Sequence, residues 1–436
     1  MMKKSVQWAA IALTLMAMMT ACSSDSNDGT EPEPEPTPAT VQEELPTTLK
    51  LTRSEQEMVN QSNEFAFNLF AEITDPGCFG IRENQKSIIL SPISITYALG
   101  MLNNGAAGET QQQINKVLGF GEQGADSINA FCYKMLKTAP AIDPLTKVLI
   151  SNTIFLNKDY VLKPDFVSKA KAFYEAEPET RDFNDGKTLD VINKWAADHT
   201  EQMIQKVLDE QTFNPSAVNY LMNAIYFKGE WAMKFDKAET ADEIFHQTHA
   251  YDATEKETKI PMMHQRGTFN YTETDDCQVL QLPYGNQSFT MTILLTKDTD
   301  KLPCVPTAKQ WQEMSQRLYG HNIDVKLPRF ETDTDIYLND YMAKLGMPDA
   351  FDTNKANFKN FCEKPTFISM IKQVAKIEVS EEGTEAAAIT IIGMEEAALP
   401  DDQPSFINFH ANRPFLYIIS EKTTGAIFFI GQYTGH

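Results

Sequence analysis

Basic residues are scarce in this 436-residue sequence, with 38 Lys and Arg against 60 Asp and Glu and a net charge of −22 at pH 7. Without clustered cations the chain has no electrostatic footing on nucleic acid or on an anionic membrane face, so neither is expected as a partner. Cysteine is scarce too. Beyond Cys22 there are five, Cys78, Cys132, Cys277, Cys304 and Cys362, odd in number and never spaced as CxxC. That pattern argues against a disulfide framework or a zinc site and for isolated buried thiols. After the first stretch, no apolar run reaches the ~18 residues that mark a membrane-spanning helix. With 20 Gly and 22 Pro, the composition is neither collagen-like nor wholly disordered. Catalytic signatures are missing: there is no GxSxG, no GxxxxGK followed by Ser or Thr, and no HExxH. His246 and His249 lie three apart with His264 further on, but no Cys or carboxylate cluster stands beside them, and they read as surface histidines. No metal and no cofactor is expected, and the chain does not read as an enzyme.

Hydrophobic residues make up 42% of the chain, enough for a large core, and length alone suggests about three domains of ~150 residues. Residues 1–21 have Lys3 and Lys4 before an apolar stretch from Val6 to Met19, the form of a signal peptide. Thr20 and Ala21 before Cys22 resemble a bacterial lipobox, which implies cleavage before Cys22 and lipid on its thiol and new amino group. Residues 22–52 follow as an acidic, Pro-rich linker. Its Glu-Pro alternation from Glu31 to Pro38 cannot bury apolar surface and is expected to be an extended spacer. Ser23, Asp25 and Asp28 resemble an outer-membrane sorting context. The expected location is therefore lipid-anchored at the outer membrane or cell surface of a Gram-negative bacterium, with a periplasm-facing orientation as the alternative. The lipid is the only expected membrane contact.

Residues 53–436 read as the folded part. Ser54 to Glu57 reads as a capping box opening a helix with Val59, Phe65, Leu69 and Phe70 on one side. Ser87 to Ile95 reads as a short strand entering a helix, with Ser91 as cap and Pro92 in the first turn. That helix is expected to stop at Asn104-Gly105, and another runs from Thr110 to Gly119. Strands are expected over 147–156, 218–227 and 324–330, a helix over 189–199, and a closing hairpin of Phe415–Ile419 and Ala426–Ile430. Helices dominate early and strands late, with no βαβ rhythm, which points to an α+β fold with mixed or antiparallel sheets.

Residues 377–404 are locally inconsistent. Ala386 to Ala388 with flanking Glu favours helix, whereas Ile389 to Ile392 favours strand. In a strand, period two places Thr384, Ala386, Ala388, Thr390 and Ile392 on one small, uncharged face. Met394 to Pro404 is acidic and Pro-bearing and should be exposed. A segment comfortable as loop, helix and strand is expected at functional sites.

Glu381, Glu382, Gly383, Thr384, Glu385, Ala386, Ala387 and Ala388 resemble the reactive-loop hinge of an inhibitory serpin. Further blocks resemble that family in order: Asn84 through Phe120, Asn193 to Trp195 with Thr200 and Ile204, Asn223 through Phe235, Val325 to Phe330, Leu345 to Met347, Phe409 to Phe415 and Phe429 to Gly431. The resemblance implies one domain over 53–436 with three β-sheets, eight to nine helices and an exposed reactive loop. It further implies a metastable fold that traps a protease as an acyl-enzyme when the cut loop inserts as a new strand. It places Ser91, Ser94, Asn223 and Gln373 at the shutter beneath the insertion point and Trp231 at the breach where the loop enters. The family often has His where Gln373 stands; Gln keeps the hydrogen bonds but not the pH sensitivity.

The family's hinge-to-bond spacing places the reactive bond at Ala397–Ala398, and spacing from the Phe409–Phe415 block places it about three residues later, at Pro400. A small residue suits elastase-like pockets. Met394 and Leu399 would instead admit chymotrypsin-like or papain-like cysteine proteases. Glu395, Glu396, Asp401 and Asp402 favour basic targets. The expected partners are thus serine proteases of elastase type, met by a monomer. Competing readings are a non-inhibitory serpin and a surface lipoprotein that binds a ligand.

Overall fold

The computed structural model describes residues 48–74, 86–121, 123–247, 256–298, 303–384 and 405–435. Helix α1 (Arg53–Thr74) opens the fold, and its cap lies two residues earlier than expected. The Thr52 amide donates to the Glu55 carboxylate at 2.7 Å, and the Glu55 amide donates to Thr52 Oγ1 at 3.2 Å. The capping box is therefore Thr52–Glu55, not Ser54–Glu57, and the earlier start lets Glu55 also receive Lys134 at 2.7 Å.

Strand β1 (Ile88–Leu90) leads into α2 (Pro92–Asn103), followed by α3 (Gly108–Val117) and α4 (Ala125–Thr138). Pro92 takes the first helical position of α2, but the Ser91 hydroxyl makes no capping bond there. Every residue of α2 is buried, so it is an internal helix rather than an amphipathic surface one. Next come β2 (Thr146–Asn157), α5 (Pro164–Tyr174), β3 (Glu179–Arg181), α6 (Lys187–His199) and β4 (Asn219–Glu230). β2 and β3 pair in parallel across α5, so one βαβ unit is present where the sequence showed no such rhythm. The short β3, with its charged Glu179 and Arg181, carries no hydrophobic alternation that would have revealed it.

The second half supplies β5 (Ala241–Gln247), β6 (Lys256–Glu273), β7 (Cys277–Tyr284), β8 (Phe289–Thr296), α7 (Ala308–Gln316), β9 (Tyr319–Pro328) and β10 (Phe330–Tyr337). It ends with α8 (Asn339–Leu345), β11 (Ile371–Ser380), β12 (Gly383–Thr384), β13 (Ile407–His410), β14 (Phe415–Glu421) and β15 (Ile427–Tyr433). The single strand expected over 324–330 is two strands in different sheets. Pro328 ends β9, and Arg329 turns the chain, donating its amide to the Pro261 carbonyl at 2.8 Å.

One sheet runs β10-β11-β12-β4-β2-β3. The other strands form a nine-stranded network, β1-β15-β14-β8-β7-β6-β9-β13, with β5 on β6. Strand β6 is shared within it, meeting β7 only over Asn270–Glu273, β5 over Lys256–Met262 and β9 over Met262–Tyr271. Divided at β6, the architecture among the described residues is three sheets with eight α-helices, an α+β fold. The six-stranded sheet is covered on both faces. Even-numbered Tyr220 and Met222 of β4 pack with Ile192 and Ala196 of α6, while odd-numbered Asn223 turns to α2.

Among the described cysteines, Cys132, Cys277 and Cys362 are buried and unpaired. Cys304 is exposed, contrary to the expectation, because it lies in irregular chain ahead of α7.

Candidate functional site

The central sheet has a seam between β11 and β4. At one end the two strands pair directly and in parallel, from Ile371↔Leu221 to Val374↔Ala224. At the other end β12 lies between them, antiparallel to both. Thr384 stands between Val379 and Gly229, and Gly383 between Ser380 and Glu230. Among the described residues, 375–378 and 225–228 make no pairing with each other. The hinge thus already occupies the first two rungs of the seam.

Gly383 can do this because it is glycine. Its φ is +144°, and a Cβ there would lie 2.1 Å from the Gly229 carbonyl oxygen. The preceding residues are locked by main-chain bonds, the Trp231 amide donating to the Glu382 carbonyl at 2.8 Å and the Phe235 amide to the Glu381 carbonyl at 3.0 Å. Trp231 also donates from Nε1 to the Ser380 carbonyl at 2.9 Å. Its indole is therefore a hinge contact as well as core. Thr384 is fully buried and its Oγ1 lies 2.7 Å from the Tyr284 hydroxyl. Tyr284 stacks on Trp231, ring centroids 4.4 Å apart and planes 11° from parallel.

The two hinge carboxylates are held by cations. The Glu381 side chain is 2% exposed and accepts from Arg329, and also from Thr240 Oγ1 at 2.8 Å. Desolvation pushes its pKa up, but the Arg329 hydrogen bond and the other donors outweigh this, and the carboxyl lies below its ordinary value. Glu382 is held by Lys237 at 3.0 Å and Lys234 at 3.1 Å, and these two hydrogen bonds lower it as well.

At the directly paired end, four buried polar side chains converge. Gln373 Nε2 donates to the Ser91 carbonyl (3.0 Å) and to Asn223 Oδ1 (3.1 Å), and its Oε1 accepts from the Ser91 amide (3.1 Å). Ser94 Oγ donates to Asn223 Oδ1 at 2.6 Å, and Asn223 Nδ2 donates to Asn152 Oδ1 at 2.7 Å. Ser91, Ser94, Asn223 and Gln373 are thus brought together, tying α2 to both strands of the seam. Ser91 contributes only main-chain groups, its hydroxyl having no hydrogen-bond partner among the described residues.

Glu385, Ala386, Ala387, Ala388, Ala397, Ala398 and Cys22 lie outside the described residues, as do Met394, Leu399 and the loop acids. Asn152, Tyr284, Arg329, Thr240, Lys234 and Lys237 were not singled out from the sequence, because their partners are distant in the chain and no local pattern marks them. The sequence pattern predicts His264 to be an ordinary surface residue without a carboxylate nearby, and the structure differs. His264 lies 3.0 Å from Asp324, which also meets Arg266 at 2.6 Å and His410 at 3.3 Å, because β9 pairs between β6 and β13. Among the described residues no group of three His, Cys, Asp or Glu is placed to hold a metal ion.

The family model described as "Serpin (serine protease inhibitor)" matches residues 60–435. The chain is 31% identical over 388 residues to serpin B8 of Homo sapiens, covering 87% of this chain and 99% of that protein. It is likewise 31% identical over 388 residues to the leukocyte elastase inhibitor of Xenopus tropicalis, covering 85% and 97%. Among solved structures, the thermophilic serpin tengpin in its native state superposes with a TM-score of 0.77 at 25% identity, covering 89% of this chain and 96% of that one.

Proposed function

The chain belongs to the serpin family, and from that premise we propose that it inhibits serine proteases by suicide-substrate loop insertion. The protease serine attacks the carbonyl of the reactive bond and forms an ester to the chain. The peptide C–N bond breaks, and the new amine leaves on the C-terminal segment. The freed hinge then extends β12 along the seam and carries the esterified protease away before water reaches the ester.

The observation that supports this best is the register. Thr384 faces Val379 and Gly229, and each further pair of residues moves both partners back by two. Ala386 would come between Ile377 and Phe227, Ala388 between Ala375 and Ile225, and Thr390 between Gln373 and Asn223, which already face one another. Insertion therefore proceeds without a slip, and the inward side chains are small where Phe227 and Ile377 lie buried. Each rung adds main-chain hydrogen bonds to both neighbours at about 0.5–1.5 kcal/mol net apiece.

The reactive bond is proposed at Ala397–Ala398 and the targets as basic elastase-like proteases, given the acids Glu395, Glu396, Asp401 and Asp402. The chain is further proposed to be cut before Cys22, lipid-anchored there and tethered through residues 22–52 to the inhibitory domain 53–436, acting as a monomer at the outer membrane or cell surface. Cys22→Ser should move it from the membrane to the soluble fraction. The inhibitory reading is tested by incubation with a basic elastase on a denaturing gel. An SDS-resistant adduct is expected; clean cleavage with no adduct would sink it. The mass of the C-terminal fragment reports the bond.

A further inference from the structure

We propose that Tyr284 is a positioning residue for strand insertion, its buried hydroxyl pinning Thr384 in the first rung of the seam and so setting the register in which the loop follows. This rests on the inhibitory reading above. Tyr284 ends β7, a strand of another sheet, 100 residues from Thr384 in the chain. Its ring is closely packed. One face stacks on Trp231, the edge meets Phe227 with centroids 5.2 Å apart, and the whole residue is buried. β4 carries glycine at 229 to make room, since a Cβ there would lie 2.9 Å from Tyr284 Cδ1. The hydroxyl is thereby held at a fixed point on the inner face of the seam. Burial pushes the phenol above its ordinary value, so it stays neutral and able to donate or accept.

A strand entering a seam must choose among registers. A slip of one residue turns the small inner face outward and is excluded by packing. A slip of two keeps the faces but brings Ala386 to the place of Thr384, and Ala386 has no hydroxyl. The next hydroxyl on that face is Thr390. That register leaves the Tyr284 hydroxyl buried and unpaired, and the opposite slip would bring Glu382 there and strip its carboxylate from Lys234 and Lys237, whereas the observed one satisfies the hydroxyl at 2.7 Å. Tyr284 therefore reads one side chain of the hinge, and it does so before any bond is cut.

The test uses the full chain with Tyr284→Phe, which keeps the ring stack and removes the hydroxyl, Thr384→Val as its reciprocal, Thr384→Ser as a rescue, and the Phe/Val double variant. Two readouts are taken: the stoichiometry of inhibition of an adduct-forming elastase, and the rate at which a chain nicked in the loop by a non-target protease gains heat resistance. Tyr284→Phe and Thr384→Val should each slow that gain and raise the stoichiometry by about three- to tenfold. Thr384→Ser should behave as the parent, and the double variant should be no worse than the worse single one. If Tyr284→Phe fails to fold, Thr384→Val against Thr384→Ser still reads the hydroxyl. A parent that hardens while Tyr284→Phe hardens equally fast, or single effects that multiply in the double variant, would overturn the pin alone. A parent that neither hardens nor forms an adduct overturns the inhibitory reading, and the pin with it.

Discussion

Gln373 and Asn223 share one rung of the central sheet and are hydrogen-bonded to each other, Nε2 to Oδ1 at 3.1 Å, where β11 and β4 touch directly. The same two side chains hold α2 through Ser91 and Ser94. Opening the seam along its full length must part this pair, so the cluster both closes the sheet and opposes its expansion. No member of it changes charge between pH 5 and 8. Gln373→His should make the insertion rate pH-dependent across that range, with the parent flat. Rates of heat hardening after nicking, measured at pH 5.5 and 8, check this, and equal pH slopes for both proteins would refute it.

Thr384→Arg would put a charged side chain into a fully buried rung beside Val379 and Gly229. Burying it unpaired costs more than the rung gains, so the inserted state is disfavoured. The expected outcome is loss of the SDS-resistant adduct with cleavage retained, read from a denaturing gel.

Gly383→Ala meets the Gly229 carbonyl at 2.1 Å and forces a Cβ onto φ +144°. The rung cannot form as it is. A loss of about 1–3 kcal/mol is expected in denaturant unfolding. Trp231 fluorescence should shift, because its indole Nε1 and its main-chain amide donate to the adjoining Ser380 and Glu382 carbonyls.

Arg329→Met leaves the buried Glu381 carboxylate short of its cation. Because the guanidinium is half-exposed, the loss at pH 7 is expected to be about 1–2 kcal/mol. Glu381 and Glu382 both titrate below their ordinary 4.5 in the folded chain, so their contribution is present above that value and is lost as pH falls through the folded pKa. The gap in denaturation midpoint between parent and variant should therefore be widest near pH 7 and narrow below about pH 4.5. A gap unchanged at pH 3 would show that the lost packing of the arginine stem, not the charge pair, carries the effect.

The hinge itself was legible because its signal is local: Gly383 beside a run of small residues stands out in a single window of sequence. Its surroundings were not. Glu381 meets Arg329 at a sheet-to-sheet corner, which falls inside the end of the single strand that the sequence pattern predicts over 324–330. Thr384 meets Tyr284 from another sheet, and nothing near Tyr284 in the chain marks it as different from a core tyrosine. The shutter residues became readable only through their likeness to a family, since four polar residues scattered from Ser91 to Gln373 form no pattern until folding joins them. At α1 two capping tetrads overlapped, and the choice between them depended on Lys134, on another helix.

The nine-stranded network has a consequence for the molecule after it is cut. The chain is described in the central sheet up to β12 and again from β13, beside β9, then continues into β14 and β15. β14 lies between β8 and β15, and β15 is flanked on its far side by β1, so the tail is sewn into the middle of the network rather than laid on its edge. A nick anywhere in residues 385–404 therefore yields two polypeptides that remain one particle. Gel filtration under native conditions should show no lost mass, and only unfolding should separate the pieces. Cleavage here acts as a change of connectivity within an intact body.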